Sequence, residues 1–145
     1  MVEIYPKCLS RSFSGKVLYR LETGWAEVFK ILHQIGEGVI SEIELIEITF
    51  LDDDEMARLH GEFLGDATTT DVITFDHGEL LIGVETAERQ SLEFETNIYR
   101  EIALYGIHGM LHLAGFDDIS SKDAELMENR QNDLFRQLFA DLVEG

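Results

Sequence analysis

The chain is 145 residues long with one proline, one cysteine and 45% hydrophobic residues, and its 11 basic and 29 acidic side chains give a formal net charge of −18. That composition excludes a disordered or low-complexity chain, and a lone Cys8 excludes both an intrachain disulfide and a cysteine-based metal site. No run approaches the roughly 18 apolar residues of a membrane span and no basic segment leads into an apolar one at the start, so the expectation is one cytoplasmic domain over residues 1–145.

Val2 to Tyr5 reads as a short strand, and Gly15 to Gln34 has helical periodicity through Val17, Leu18, Leu21, Trp25, Val28, Phe29 and Leu32 before Gly36 and Gly38 break it. Residues 1–20 hold Lys7, Arg11, Lys16 and Arg20 against Glu3 alone, whereas the rest of the chain holds 7 basic and 28 acidic groups. Any nucleic-acid footprint should therefore include that stretch; a solvated strand and helix start accounts for it equally well. Ile43, Leu45, Ile46, Ile48 and Phe50 form a β-rich run. Asp52, with Glu55 three residues on, reads as a capping box opening a helix toward Phe63. The acidic run from Asp52 to Asp54 is a helix start rather than a calcium loop, because the glycine at the sixth loop position is missing.

Val72 to Phe75 and Glu79 to Val84 flank Asp76-His77-Gly78, a tight hairpin that makes the Ile73 and Leu81 strands antiparallel neighbours. The strand beginning near Ile43 can pair in parallel with the one at Val72, since a helix separates them. Thr86 to Thr96 reads as a helix. Asn97 is the N-cap of an apolar helix over Tyr99 to Ala114, and Ser120 with Asp123 opens a last amphipathic helix through Leu126, Met127, Leu134, Leu138 and Leu142. The order predicts an α+β fold, a single mixed sheet with helices packed on it in a three-layer arrangement.

His108 and His112 lie four residues apart on the apolar helix. A four-residue step turns about 40° beyond one full turn, so both imidazoles leave one face and can reach one ion. Gly115 can take a positive φ and end the helix, bringing Asp118 round as a third donor. Three protein ligands with an open fourth position is the pattern of a zinc ion that does chemistry. Buried imidazoles need partners, and a shared metal would satisfy both, although a packed polar stripe is the bland alternative. Gly106 and Gly109 inside the helix each cost about 1 kcal/mol relative to Ala, which predicts the close approach of another backbone. Asp117 either orients a ligand histidine or caps the turn after Gly115.

The stretch His108-Gly109-Met110-Leu111-His112-Leu113-Ala114-Gly115-Phe116-Asp117-Asp118 resembles the signature H-G-x-L-H-L-x-G-Y-D-H of the YbeY family, bacterial zinc-dependent endoribonucleases of ribosomal RNA maturation. Thr70 to Phe75 resembles the family's P-T-D-V-L-S-F strand without its proline, and Gly78 to Ile82 its G-D-I strand, so the likeness runs along most of the chain. The resemblance implies a zincin-like topology and one Zn²⁺ held by His108, His112 and Asp118. It also implies ribosomal RNA and small-subunit ribosome components as partners, with a GTPase or ribosomal protein as recruiter, and neither DNA nor membrane.

Three departures stand out. Asp118 occupies the place of a third histidine, and a carboxylate there makes the ion a weaker Lewis acid. Leu64 occupies the place of an arginine associated with RNA cleavage, leaving Arg58 or Arg100 as substitutes from elsewhere. The loop Asp76-His77 is shorter than the family's. The expected function is a zinc-dependent endoribonuclease. A metzincin-like metallopeptidase is the alternative on ligand spacing, yet it needs a glutamate where this chain has Gly109, and Glu101 lies two turns away. A metal-stabilised ribosome-assembly factor without turnover is the third reading, favoured by the loss of the arginine.

Overall fold

The computed structural model describes residues 1–65 and 70–143. Strand β1 (Val2–Pro6) leads into helix α1 (Gly15–Ile35), a 3-10 turn at Val39–Glu42 and strand β2 (Ile46–Leu51). Helix α2 (Asp53–Leu64) is followed by the hairpin β3 (Val72–Phe75) and β4 (Glu79–Gly83). Helices α3 (Val84–Glu93), α4 (Ile98–Leu113) and α5 (Ser121–Leu138) complete the order, with a 3-10 turn at Ala140–Val143. Among the described residues no helix is long and apolar enough to cross a membrane.

The sheet order is β1-β2-β4-β3. β1 and β4 flank β2 in parallel, with Val2 opposite Ile46 and Ile48 opposite Leu80, while β3 pairs antiparallel with β4, Ile73 opposite Leu81. The hairpin pairing therefore matches the sequence expectation, but the parallel partner of β2 is β4, which leaves β3 at the edge. The β-rich run also starts later than expected: Ile43 belongs to the end of a 3-10 turn, its N–H bonded to Ile40, and the ladder opens where the Ile46 N–H meets the Met1 carbonyl. Helix α3 begins at Val84, directly from the strand, rather than at Thr86.

Alternation along the strands gives two packed faces. Ile46, Ile48, Phe50, Leu80 and Ile82 point into the main core with α1 and α4, whereas Leu51, Ile73 and Leu81 meet Met56 and Leu59 of α2 on the other side. Helix α4 lies at the centre, buried on nearly every side, which is why its sequence is apolar all round. Trp25 of α1 packs against it and donates its buried indole N–H to the Ala103 carbonyl at 3.1 Å.

The glycines of α4 admit side chains rather than backbone. A Cβ at Gly106 would stand 2.3 Å from the Trp25 ring, and one at Gly109 would stand 2.6 Å from Leu80 and 3.1 Å from Thr74 Oγ1. Caps fall where the sequence puts them: Asn97 Oδ1 accepts from Arg100 N–H at 2.8 Å and Ser120 Oγ from Asp123 N–H at 3.1 Å. At α2 only half of the capping box forms. Asp52 accepts from Glu55 N–H at 3.1 Å, but the Glu55 carboxylate is taken by Arg58.

Candidate metal centre and its cleft

Helix α4 ends in a Schellman motif: Gly115, at φ 97°, donates its N–H to His112 O at 3.0 Å, and Phe116 N–H reaches Leu111 O at 3.0 Å. The reversal has a chemical consequence. It turns the Phe116 carbonyl onto His112 Nδ1 at 3.1 Å. A carbonyl only accepts, so Nδ1 of His112 carries the proton and its Nε2 is a bare lone pair. From α5, Gln131 Oε1 meets His108 Nδ1 at 2.9 Å, and an amide oxygen accepting there favours the same tautomer.

The two Nε2 atoms face each other at 3.1 Å. With both protons on Nδ1, the two Nε2 lone pairs converge on one point, where a cation would be coordinated by both rings. Asp118 Oδ2 lies 3.9 Å from His108 Nε2, and one ligand atom from each of His108, His112 and Asp118 falls within 4.8 Å of the others. The three residues predicted from spacing are thus brought together, and their nitrogen and carboxylate donors suit a zinc-like ion. Asp117 takes the other role open to it, accepting the Ile119 N–H at 3.2 Å to shape the turn.

The histidines form one wall of a cleft of about 500 Å³, whose opposite wall is the edge strand β3 with the end of α2. Asp71, Thr74, Asp76 and Leu64 line it, together with Asp118. Leu64 thus stands at the cleft, 61% exposed, where the resemblance places a cation. Among the described residues no lysine or arginine lines the cleft, so its charge is set by three carboxylates. The substitutes weighed from the sequence are engaged: Arg58 pairs with Glu55 and Glu62 at 3.0 Å each, and Arg100 contacts Glu101 at 3.4 Å and lies over the Phe135 ring.

The N-terminal basic cluster is also partly structural. Arg11 packs over the Phe13 and Tyr99 rings, and Arg20 makes a two-pronged pair with Asp141 at 2.5 and 2.6 Å. Sequence reasoning missed Gln131. Its signal was available, because Gln131 falls on the apolar stripe of α5 defined by Met127, Leu134, Phe135 and Leu138, where a polar residue needs a partner.

A family model described as Endoribonuclease YbeY matches residues 18–139. A protein named Endoribonuclease YbeY from Flavobacterium johnsoniae is 30% identical over 118 residues, covering 77% of this chain and 81% of that one. The protein of the same name from Oceanobacillus iheyensis is 32% identical over 117 residues, covering 68% and 75%. A solution structure of a protein from Thermotoga maritima superposes with a TM-score of 0.65 at 24% identity, over 100% of this chain and 96% of that one, and supports the fold.

Proposed function

This chain belongs to the endoribonuclease YbeY family, and from that premise we propose that it is a zinc-dependent endoribonuclease acting in ribosomal RNA maturation, with His108, His112 and Asp118 as ligands of one ion. The observation that carries the reading is the convergence of His108, His112 and Asp118 ligand atoms within 4.8 Å of one another, with the two Nε2 atoms 3.1 Å apart, on the wall of an open cleft. When bound, a zinc ion supplies Lewis acidity and positive charge beside a phosphodiester and lowers the pKa of water.

The chain's own residues do the rest. Gln131 and the Phe116 carbonyl hold both rings in the metal-binding tautomer, so little reorganisation accompanies loading. The edge strand β3 and Leu64 form the facing wall on which a strand of RNA would lie. Asp71, Asp76 and Asp118 repel phosphate until a cation is present, which couples substrate entry to metal loading. The family relation supports ribosomal RNA on small-subunit components as the substrate setting, with a GTPase or ribosomal protein as partner, in the cytoplasm.

The peptidase alternative loses its support. Leu80 and Thr74 fill the space beside Gly109 where its general base would stand, and Glu101 is bonded to Thr96 at 2.7 Å. The lack of a lysine or arginine at the cleft among the described residues favours one second reading, an assembly factor that binds without turnover. Elemental analysis, followed by cleavage of precursor ribosomal RNA with and without chelator, separates the two. Cleavage should require the metal and disappear in His108→Ala, which also controls for contaminating nuclease; cleavage that survives in that variant overturns the assignment.

A further inference from the structure

Three aromatic rings stand in a row on the two elements that form the facing wall of the cleft, α2 and the β3 hairpin. Phe63 lies in the last turn of α2 and is 56% exposed, Phe75 ends the edge strand β3, and the His77 side chain in the hairpin turn is 69% exposed. Phe63 and Phe75 meet edge-on with centroids 5.3 Å apart, and Phe75 and His77 stack at 5.6 Å with 20° between planes. The row lies on the α2 side of β3, where Phe75 packs against the cluster of Met56 and Leu81, and it adjoins the cleft through its chain neighbours. Phe63 precedes Leu64, and Phe75 and His77 flank Asp76, both of which line the cleft. Because β3 is at the edge of the sheet, no further strand covers this flank among the described residues.

We propose that Phe63, Phe75 and His77 form a stacking platform for the bases of single-stranded RNA beside the metal centre. This rests on the nuclease reading above. Charge complementarity favours bases over phosphates as the contacted groups. From Leu59 to Glu88 the sequence contains neither lysine nor arginine, and the cleft carries Asp71, Asp76 and Asp118. A phosphate backbone laid along this wall finds no counter-charge there apart from the metal, whereas an uncharged base keeps its full stacking energy on an exposed ring. Paired bases in a duplex present no free face, which selects single strands. With few counterions released on binding, affinity should depend only weakly on salt.

The test uses the metal-loaded full chain and a 2′-O-methylated single-stranded oligonucleotide, with binding read by fluorescence anisotropy across a salt series. Phe63→Ala and Phe63→Leu should each weaken binding about fivefold or more, and Phe63→Trp should retain it. Phe94→Ala, an exposed aromatic outside the row, should bind as the parent does. An abasic version of the oligonucleotide should bind the parent protein as weakly as the intact one binds Phe63→Ala. Full affinity in Phe63→Leu overturns the platform in favour of an apolar patch for a protein, and a steep loss of affinity with salt overturns it in favour of phosphate contacts. A parent protein that neither binds nor cleaves RNA overturns the nuclease reading, and the platform with it.

Discussion

Gln131 and Phe116 show how much of a metal centre lies in residues that never touch the ion. The Gln131 amide oxygen and the Phe116 carbonyl each accept an Nδ1 proton, and so decide which nitrogen of each histidine is free. Gln131→Met keeps the bulk and removes the acceptor. It should lower metal affinity about tenfold to a hundredfold, read by competition with a chromophoric chelator, with the melting temperature nearly unchanged; unaltered affinity would relegate Gln131 to packing. Asp118→Ala should cost much of the affinity and Asp118→His should retain it, whereas Asp117→Ala should cost less because its oxygen is spent on the Ile119 N–H. Tyr105 offers a contrasting case. Among the described residues its hydroxyl is buried without a partner, and burial with nearby Asp71 and Glu101 pushes its pKa well above the usual phenol value. Tyr105→Phe removes an unsatisfied donor and should stabilise the fold by about 1 kcal/mol, seen as a raised urea midpoint.

At the scale of elements, α4 was nearly complete in the sequence. Asn97 caps it, Gly115 ends it, and the histidine spacing sets one face, all of which are local rules. The place of β2 was not legible from hairpin logic, because a tight turn specifies which strands pair locally and says nothing of the next neighbour. Residue pattern held the missing clue. Leu80-Leu81-Ile82 is apolar on both faces, as a central strand must be, whereas Val72-Ile73-Thr74-Phe75 is only half-buried over most of its length and suits an edge. The reason for Gly106 was also out of reach, since the Trp25 ring that fills its missing side chain comes from a different helix. Gly106→Ala should therefore destabilise by about 1–3 kcal/mol despite its better helix propensity, the overpacking exceeding the roughly 1 kcal/mol gained. A shift in the fluorescence of Trp25, the chain's one tryptophan, should accompany the loss, and a stabilised variant would contradict the packing.

On the scale of the whole molecule, charge is where sequence and structure part most. The basic residues near the start read equally as a phosphate footprint or a solvated stretch, and the structure gives two of them internal partners instead. Arg11 lies against the Phe13 and Tyr99 rings, and Arg20 reaches Asp141 and the Leu138 carbonyl, contacts spanning almost the full chain that no local pattern encodes. Arg20 thereby ties α1 to the C-terminal 3-10 turn. Its hydrogen bonds hold the Asp141 carboxyl below the usual carboxylate range. A carboxyl with a depressed folded pKa contributes stability above its unfolded value and loses it as pH falls through the folded one. Both partners are partly exposed, 30% and 59% at the side chain, so solvent limits the contribution to about 1 kcal/mol at most. Asp141→Asn should accordingly lower the urea midpoint at neutral pH, and the difference from the parent should close as pH is taken down through and below the carboxylate range. A difference that stays constant into acid would mean that Arg20 is held by the Leu138 carbonyl and the Phe139 ring, with the ion pair contributing nothing to the tether.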